Sequence, residues 1–156
     1  GLMNLKYLCL RPSNPYGPGQ LPHKGQGFIS TAIKDLIDGN EINIFGSGDI
    51  VRDYIYIDDL VVAIYSVIQC SDRSDTYNIG TGIGVSILDI IEDLRILGKS
   101  QKLEVKTKFI QARSVDVKKN ILDIRKITEI TNWSPKTNFS DGLERTYFWL
   151  RNISYD

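Results

Sequence analysis

A chain of 156 residues with 42% apolar content is long enough for one domain with a substantial core, and its 19 basic and 19 acidic side chains cancel. The longest basic runs are pairs such as Lys118-Lys119, so no stripe suits a nucleic-acid backbone and nucleic acid is excluded as an expected partner. No stretch approaches the ~20 apolar residues that span a bilayer, and Cys9 and Cys70 sit in apolar runs without CxxC spacing, so a cytoplasmic protein with both thiols reduced in its core is expected.

Leu5 to Leu10 is an apolar-rich run ended by Arg11-Pro12 and the turn-rich stretch Ser13 to Gly19, which reads as one buried strand followed by a loop. A buried strand of this kind belongs to a sheet covered on both faces, yet no strand precedes it in the chain to pair with it. From Gly27 to Asp38 apolar residues recur at helical spacing and Gly39 supplies the stop. Ile42 to Phe45 reads as a short strand, Gly46 to Asp49 as a turn, and Tyr54 to Ile57 as a second extended piece. Asp58 then caps an expected helix from Asp59 to Gln69, with Leu60, Ala63, Ile64 and Val67 on one face.

Thr76 to Ile79 is a further strand, followed by Gly80-Thr81-Gly82-Ile83-Gly84 and a helix opened by Ser86, whose Asp89 three positions on suggests a capping box. A short strand is expected near Leu103 to Val105. Asp123 caps a helix carrying Ile124, Ile127 and Ile130, and Ser140 opens the last helix, with Leu143, Tyr147 and Leu150 inward. The alternation of strands and helices gives an α/β fold.

Two glycine motifs mislead. Gly80 to Gly84 spaces its glycines as GxGxG rather than GxGxxG, and the strand after it does not end in an acidic residue, so a plain strand-to-helix turn is expected. Gly98-Lys99-Ser100 imitates the end of a phosphate-binding loop, but Asp93 stands where its first glycine belongs, and an exposed loop is expected instead. No Tyr is followed four residues later by Lys, GxSxG and HExxH are absent, and the single histidine, His23, lies in a polar loop without a second ligand cluster.

Three separated segments carry the functional signal. They are Arg11-Pro12-Ser13-Asn14-Pro15-Tyr16-Gly17-Pro18-Gly19-Gln20, then Ile44 to Gly48 running into Arg52-Asp53-Tyr54-Ile55-Tyr56-Ile57-Asp58-Asp59-Leu60, and finally Arg113-Ser114-Val115-Asp116 followed by Asp123. In identity, order and spacing they resemble the C-terminal half of an NAD-dependent nucleotide-sugar epimerase of the extended short-chain dehydrogenase/reductase family, of the UDP-glucose 4-epimerase type. Asn132-Trp133-Ser134-Pro135-Lys136 and Gly142-Leu143 resemble the family's closing pattern.

The resemblance implies the C-terminal, substrate-binding portion of a Rossmann-type fold, with the N-terminal dinucleotide-binding half and its Tyr-x-x-x-Lys pair absent from this chain. Residues 1–20 would be the last part of the Rossmann sheet and residues 21–156 the nucleotide-sugar domain. A diphosphate needs cations of fixed geometry, and Arg52 and Arg113 supply the guanidinium fork that a lysine cannot reproduce. By the same resemblance Asn14 would bond the phosphate or sugar, Asn43 and Phe45 would border the base through backbone groups, Asp116 would accept from the ribose, and Pro12 would sit near the nicotinamide of NAD. The substrate would be a UDP-sugar, and no catalytic residue is assigned in the chain.

Each residue also has a structural reading. Asn14 before a proline is a common turn residue, Arg52 beside Asp53 suits a surface ion pair, Phe45 suits a core, and Tyr54 and Tyr56 suit packing. A 4,6-dehydratase or decarboxylase and a noncatalytic nucleotide-sugar-binding module are the alternative functions; the dehydratase-like Pro-Glu-Lys is not evident in Leu21-Pro22-His23-Lys24. The unpaired edges expected for the first strand suggest a homodimer that pairs or exchanges it.

Overall fold

The computed structural model describes residues 6–23, 27–70, 74–111 and 117–153. Chain order runs β1 (Leu8–Pro12), β2 (Asn14–Tyr16), α1 (Phe28–Asp38), β3 (Glu41–Phe45), β4 (Val51–Tyr56), α2 (Ile57–Cys70) and β5 (Asp75–Ile79). It continues with β6 (Gly84–Ser86), α3 (Ile87–Gln101), β7 (Lys106–Ile110), β8 (Lys119–Asn120), α4 (Arg125–Thr131) and α5 (Phe139–Arg151).

Two cores divide the fold. In the first, α1, α3 and α5 pack over β3 through Ile33, Ile42, Ile44, Leu94, Leu143 and Leu150, each contributing roughly 1.5–3 kcal/mol by leaving water. In the second, α2 and α4 cover β5 through Ala63, Val67, Tyr77, Ile79, Ile127 and Trp133, with Leu8 and Leu10 of β1 against the cluster. Helix α1 stops where Gly39 takes the left-handed conformation at φ 72°, its N–H bonding Leu36 while Asn40 bonds Asp35. Outward from α2 project Val61, Val62, Tyr65 and Ile68, all more than half exposed.

Four parallel pairings organise the strands: β1 with β5, β2 with β4, β3 with β7, and β8 with β4; β6 runs antiparallel to β4. The partner of β1 therefore comes later in the chain, with Leu8 opposite Asp75 and Pro12 opposite Ile79. That pairing also crosses the boundary expected after residue 20.

Several elements differ from expectation. Strand β1 continues through Arg11 and Pro12, and part of the expected loop is β2, because Asn14 to Tyr16 finds Tyr54 to Tyr56 to pair with. Strand β4 begins at Val51, three residues early, since β6 and β8 both bond its first half. Gly98-Lys99-Ser100 is helical, the tail of α3, where Gly98 passes so close to the Leu103 carbonyl that a Cβ would stand 2.8 Å from its oxygen. The following strand is displaced to Lys106–Ile110, where it meets β3.

Cys70 is exposed because the last turn of α2, Ile68 to Cys70, runs past the core; Cys9 is half-buried, and both thiols are free. Helix α2 starts at Ile57, so Asp58 lies inside its first turn, and Asp59 is buried and accepts from the Thr137 N–H at 2.8 Å. The caps fall differently as well. Asn138, not Ser140, opens α5 by accepting from Asp141 N–H, and Ile124 opens α4 while Asp123 accepts from Arg125 N–H. Ile130 of α4 faces outward, 37% exposed.

Candidate functional site

Strand β4 organises the site by its alternation. Successive side chains point to opposite faces, so Arg52 and Tyr54 line a cavity while Asp53 and Ile55 are buried on the other side. The surface ion pair between Arg52 and Asp53 does not form, because the two side chains leave the strand in opposite directions.

Asp53 is 1% exposed and has no cation partner among the described residues, yet its carboxylate is well supplied with donors. Its carboxylate accepts from Thr81 N–H at 2.9 Å, Thr81 Oγ1 at 2.7 Å, Gly82 N–H at 3.1 Å and Leu122 N–H at 3.3 Å. Burying a charge is costly unless such donors replace water. Gly80 is required for the approach, since a Cβ there would stand 2.5 Å from the Asp53 Oδ2. The glycine turn thus binds an anion after all, one supplied by the protein's own chain.

The cavity has a volume of about 580 Å³. Its lining comes in two sets. From β2 and β4 come Asn14, Tyr16, Arg52 and Tyr54, joined by Ser13 and Ile87; from α1, β3 and β7 come Phe28, Thr31, Asp35, Asn43, Phe45 and Ile110. Asn14, Asn43, Phe45 and Arg52 are therefore brought to one space. Arg113 and Asp116 lie outside the described residues. Pro12 is exposed at the end of β1 and does not line the cavity.

Asn14 is anchored by its amide nitrogen, which donates to the Asp53 carbonyl at 2.8 Å; among the described residues its amide oxygen is left for another partner. Arg52 is held by one nitrogen, Nη1, which donates to the carbonyls of Val51 and Val117. Among the described residues its hydrogen bonds stop there, so the rest of the fork can serve a ligand. Strand β3 has one strand neighbour among the described residues, which leaves half of its backbone groups facing away from β7. Ser13 Oγ is buried with no hydrogen-bond partner among them, an orphan hydroxyl in the cavity wall.

Tyr16 donates its hydroxyl to the Phe139 carbonyl and packs against Tyr54, Tyr56 and Phe139. Burial, reinforced by the neighbouring Tyr56 and several carboxylates, holds its phenol proton far into the alkaline range. Burial likewise pushes Tyr54 up to about 12, so neither phenol exchanges protons near neutrality. Burial also raises the Asp35 carboxyl, against the lowering effect of its bond from Asn40. Asp123, by contrast, is exposed and drawn down to about 2 by its hydrogen bonds from Arg125, and it takes no part in the cavity. Sequence reasoning assigned Tyr16 no role and Tyr54 to packing, and it missed Asp35 and Ser13. The same-face spacing of Arg52 and Tyr54 on a strand was the signal available for Tyr54.

Comparison with known proteins matches this architecture. The model of the family described as "NAD dependent epimerase/dehydratase family" matches residues 2–80, just over half of the chain. The chain is 29% identical to a UDP-glucose 4-epimerase of Mycolicibacterium smegmatis over 98% of its own length and 48% of that protein. It is 28% identical to dTDP-glucose 4,6-dehydratase 1 of Escherichia coli, over 88% of the chain and 38% of that protein. Among solved structures, the UDP-glucose 4-epimerase of Thermotoga maritima with UDP-glucose superposes with a TM-score of 0.84 at 37% identity, covering 94% of this chain and 46% of that one. The chain thus spans less than half the length of these relatives. By the family match and the shared α/β fold, it belongs to the NAD-dependent epimerase/dehydratase family.

Proposed function

We propose that the chain is the substrate-holding half of an NAD-dependent nucleotide-sugar 4-epimerase, an isomerase serving polysaccharide biosynthesis in the cytoplasm, and that it takes a UDP-sugar. One observation carries the reading: Asn14, Asn43, Phe45 and Arg52, drawn from three separate segments, line a single cavity of about 580 Å³. That volume suits a small-molecule ligand. In this reading the open part of the Arg52 fork takes the diphosphate with Arg113, the outward backbone groups of β3 at Asn43 and Phe45 border the base, and Asp116 accepts from the ribose. Asn14 offers its amide oxygen to a sugar hydroxyl.

NAD would supply the hydride acceptor for oxidation at the sugar's C4. The Gly80 to Gly82 turn is filled by the Asp53 carboxylate and is not available to its pyrophosphate, and Pro12 is the one residue proposed to border it. No step of the redox chemistry is assigned to this chain. Residues 1–20 are proposed to close the dinucleotide-binding sheet, with residues 21–156 as the nucleotide-sugar domain apart from β5, which shares the sheet of β1.

Titration of the chain with UDP, UDP-glucose and dTDP, with Arg52→Ala and Arg113→Ala as controls, tests the site. Weak binding of the uridine nucleotides that both variants abolish is expected; equal affinity in all three proteins overturns the assignment. Preference for dTDP would favour the 4,6-dehydratase reading suggested by the E. coli relative. The purified 156-residue chain is expected to show no NAD-dependent turnover, and measurable turnover would refute its role as a holding half alone. For the 156-residue chain by itself, where no dinucleotide-binding half covers the outer edge of β1, we further propose a homodimer through that edge; β5 is the one strand partner of β1 among the described residues. No helix among those residues is long and apolar enough to cross a membrane.

A further inference from the structure

We propose that Asp53 is a positioning residue for the nucleotide's diphosphate, its buried carboxylate locking in place the strand segment that presents Arg52 and anchors Asn14. The inference rests on the diphosphate reading of Arg52.

Three ties converge on the stretch from Val117 to Leu122. Arg52 Nη1 donates to the Val117 carbonyl, β8 pairs Lys119 and Asn120 with Val51 and Arg52, and Asp53 accepts from Leu122 N–H. The stretch is thus bound to β4 from the cavity face, along the edge and from the buried face. In the sequence Asp116 immediately precedes Val117, and Arg113 lies four residues before it. On its other side Asp53 holds Thr81 and Gly82, the turn that leads into β6, the antiparallel neighbour of Arg52. The Asp53 carbonyl completes the arrangement by accepting from Asn14.

Charge is essential to this role. All four bonds to the carboxylate come from donors, three of them backbone N–H groups, and a carboxylate is acceptor-only on both oxygens. Asparagine fits the space but turns an amide N–H toward one set of these donors, which leaves them unbonded. Thr81 Oγ1 has the Ile83 carbonyl as a second acceptor at 3.2 Å, but the three backbone N–H groups depend on the carboxylate, against which Gly80 brings backbone directly.

The test compares UDP with uridine, which shares the base and ribose but lacks phosphate, in Asp53→Asn, Thr81→Val, Arg52→Ala and the Arg52→Ala/Asp53→Asn pair, with thermal unfolding of each. If Asp53 positions Arg52, Asp53→Asn weakens UDP by about tenfold more than it weakens uridine, and in the Arg52→Ala background it costs UDP no more than about twofold further. Thr81→Val removes one of the four bonds and is expected to lose UDP selectively by about threefold, which carries the test if Asp53→Asn does not fold. Equal loss of UDP and uridine, or a full further loss in the Arg52→Ala background, makes Asp53 merely structural and overturns the proposal. A wild-type protein that binds uridine and UDP alike rejects the diphosphate reading itself, a distinct outcome that removes this inference with it.

Discussion

Arg52 illustrates how one side chain divides its donors between the fold and a ligand. Its Nη1 holds the Val117 carbonyl, and this bond aims the remaining nitrogens without consuming them. A lysine keeps the charge but has neither a second donor edge nor the planar geometry to match two phosphate oxygens. Arg52→Lys is therefore expected to weaken UDP by about tenfold, while uridine affinity changes little; isothermal titration of both ligands reads the difference. That Arg52 and Asn14 would share one space was legible in the sequence, because their motifs are ordered and their chemistry is distinctive. The environment of Asp53 was not. An aspartate beside an arginine reads as a surface pair, and only the folded chain brings Thr81 and Leu122, 28 and 69 residues away, to its carboxylate.

Helices carried most of the legible structure, because their periodicity is local; of the caps, Ser86 of α3 and the Gly39 stop of α1 fall where expected, while those of α2, α4 and α5 do not. The capping box of α3 is present as expected, with Ser86 accepting from Asp89 N–H and Asp89 accepting from both Ser86 N–H and its hydroxyl. These bonds hold the Asp89 carboxyl below its ordinary value. A depressed folded-state pKa adds stability that is complete above the unfolded value near about 4 and is lost as the pH falls through the folded value. Ser86→Ala should therefore cost about 1 kcal/mol at neutral pH, and the deficit should shrink in acid as Asp89 protonates; thermal melts across that range check the sign. The short strands β2, β6 and β8 were illegible, since two or three residues acquire strand geometry only from a tertiary partner.

Gly142 sets a local propensity against a tertiary contact. Alanine is the better helix former by about 1 kcal/mol, yet a Cβ at Gly142 would stand 2.2 Å from the Tyr16 hydroxyl. Gly142→Ala is expected to destabilise the protein by about 1–3 kcal/mol, because Tyr16 must abandon its bond to the Phe139 carbonyl. Chemical denaturation measures it, and a stabilised variant would mean that Tyr16 yields freely.

At the scale of the molecule, the α/β class was legible and the partner of β1 was not. Parallel pairing demands a long crossover, so a strand at one end of the sequence gives no hint that its neighbour lies at Asp75 to Ile79. The second edge of β1 is the basis for the proposed homodimer. Sedimentation velocity should show a concentration-dependent dimer that a proline at Cys9, in the middle of the strand, disfavours; a monomer at every concentration would remove that proposal.

The Asp53 cluster also bears on the order in which the chain assembles. Its donors reach it across long loops, and contacts of large sequence separation form late because closing those loops costs entropy before the contact is made. The four bonds are thus expected to be absent from the folding transition state. Asp53→Asn should then accelerate unfolding and leave refolding nearly unchanged in a denaturant chevron, which would make this carboxylate a determinant of how long the folded protein lasts once formed. A slowed refolding limb would instead put the cluster in the nucleus.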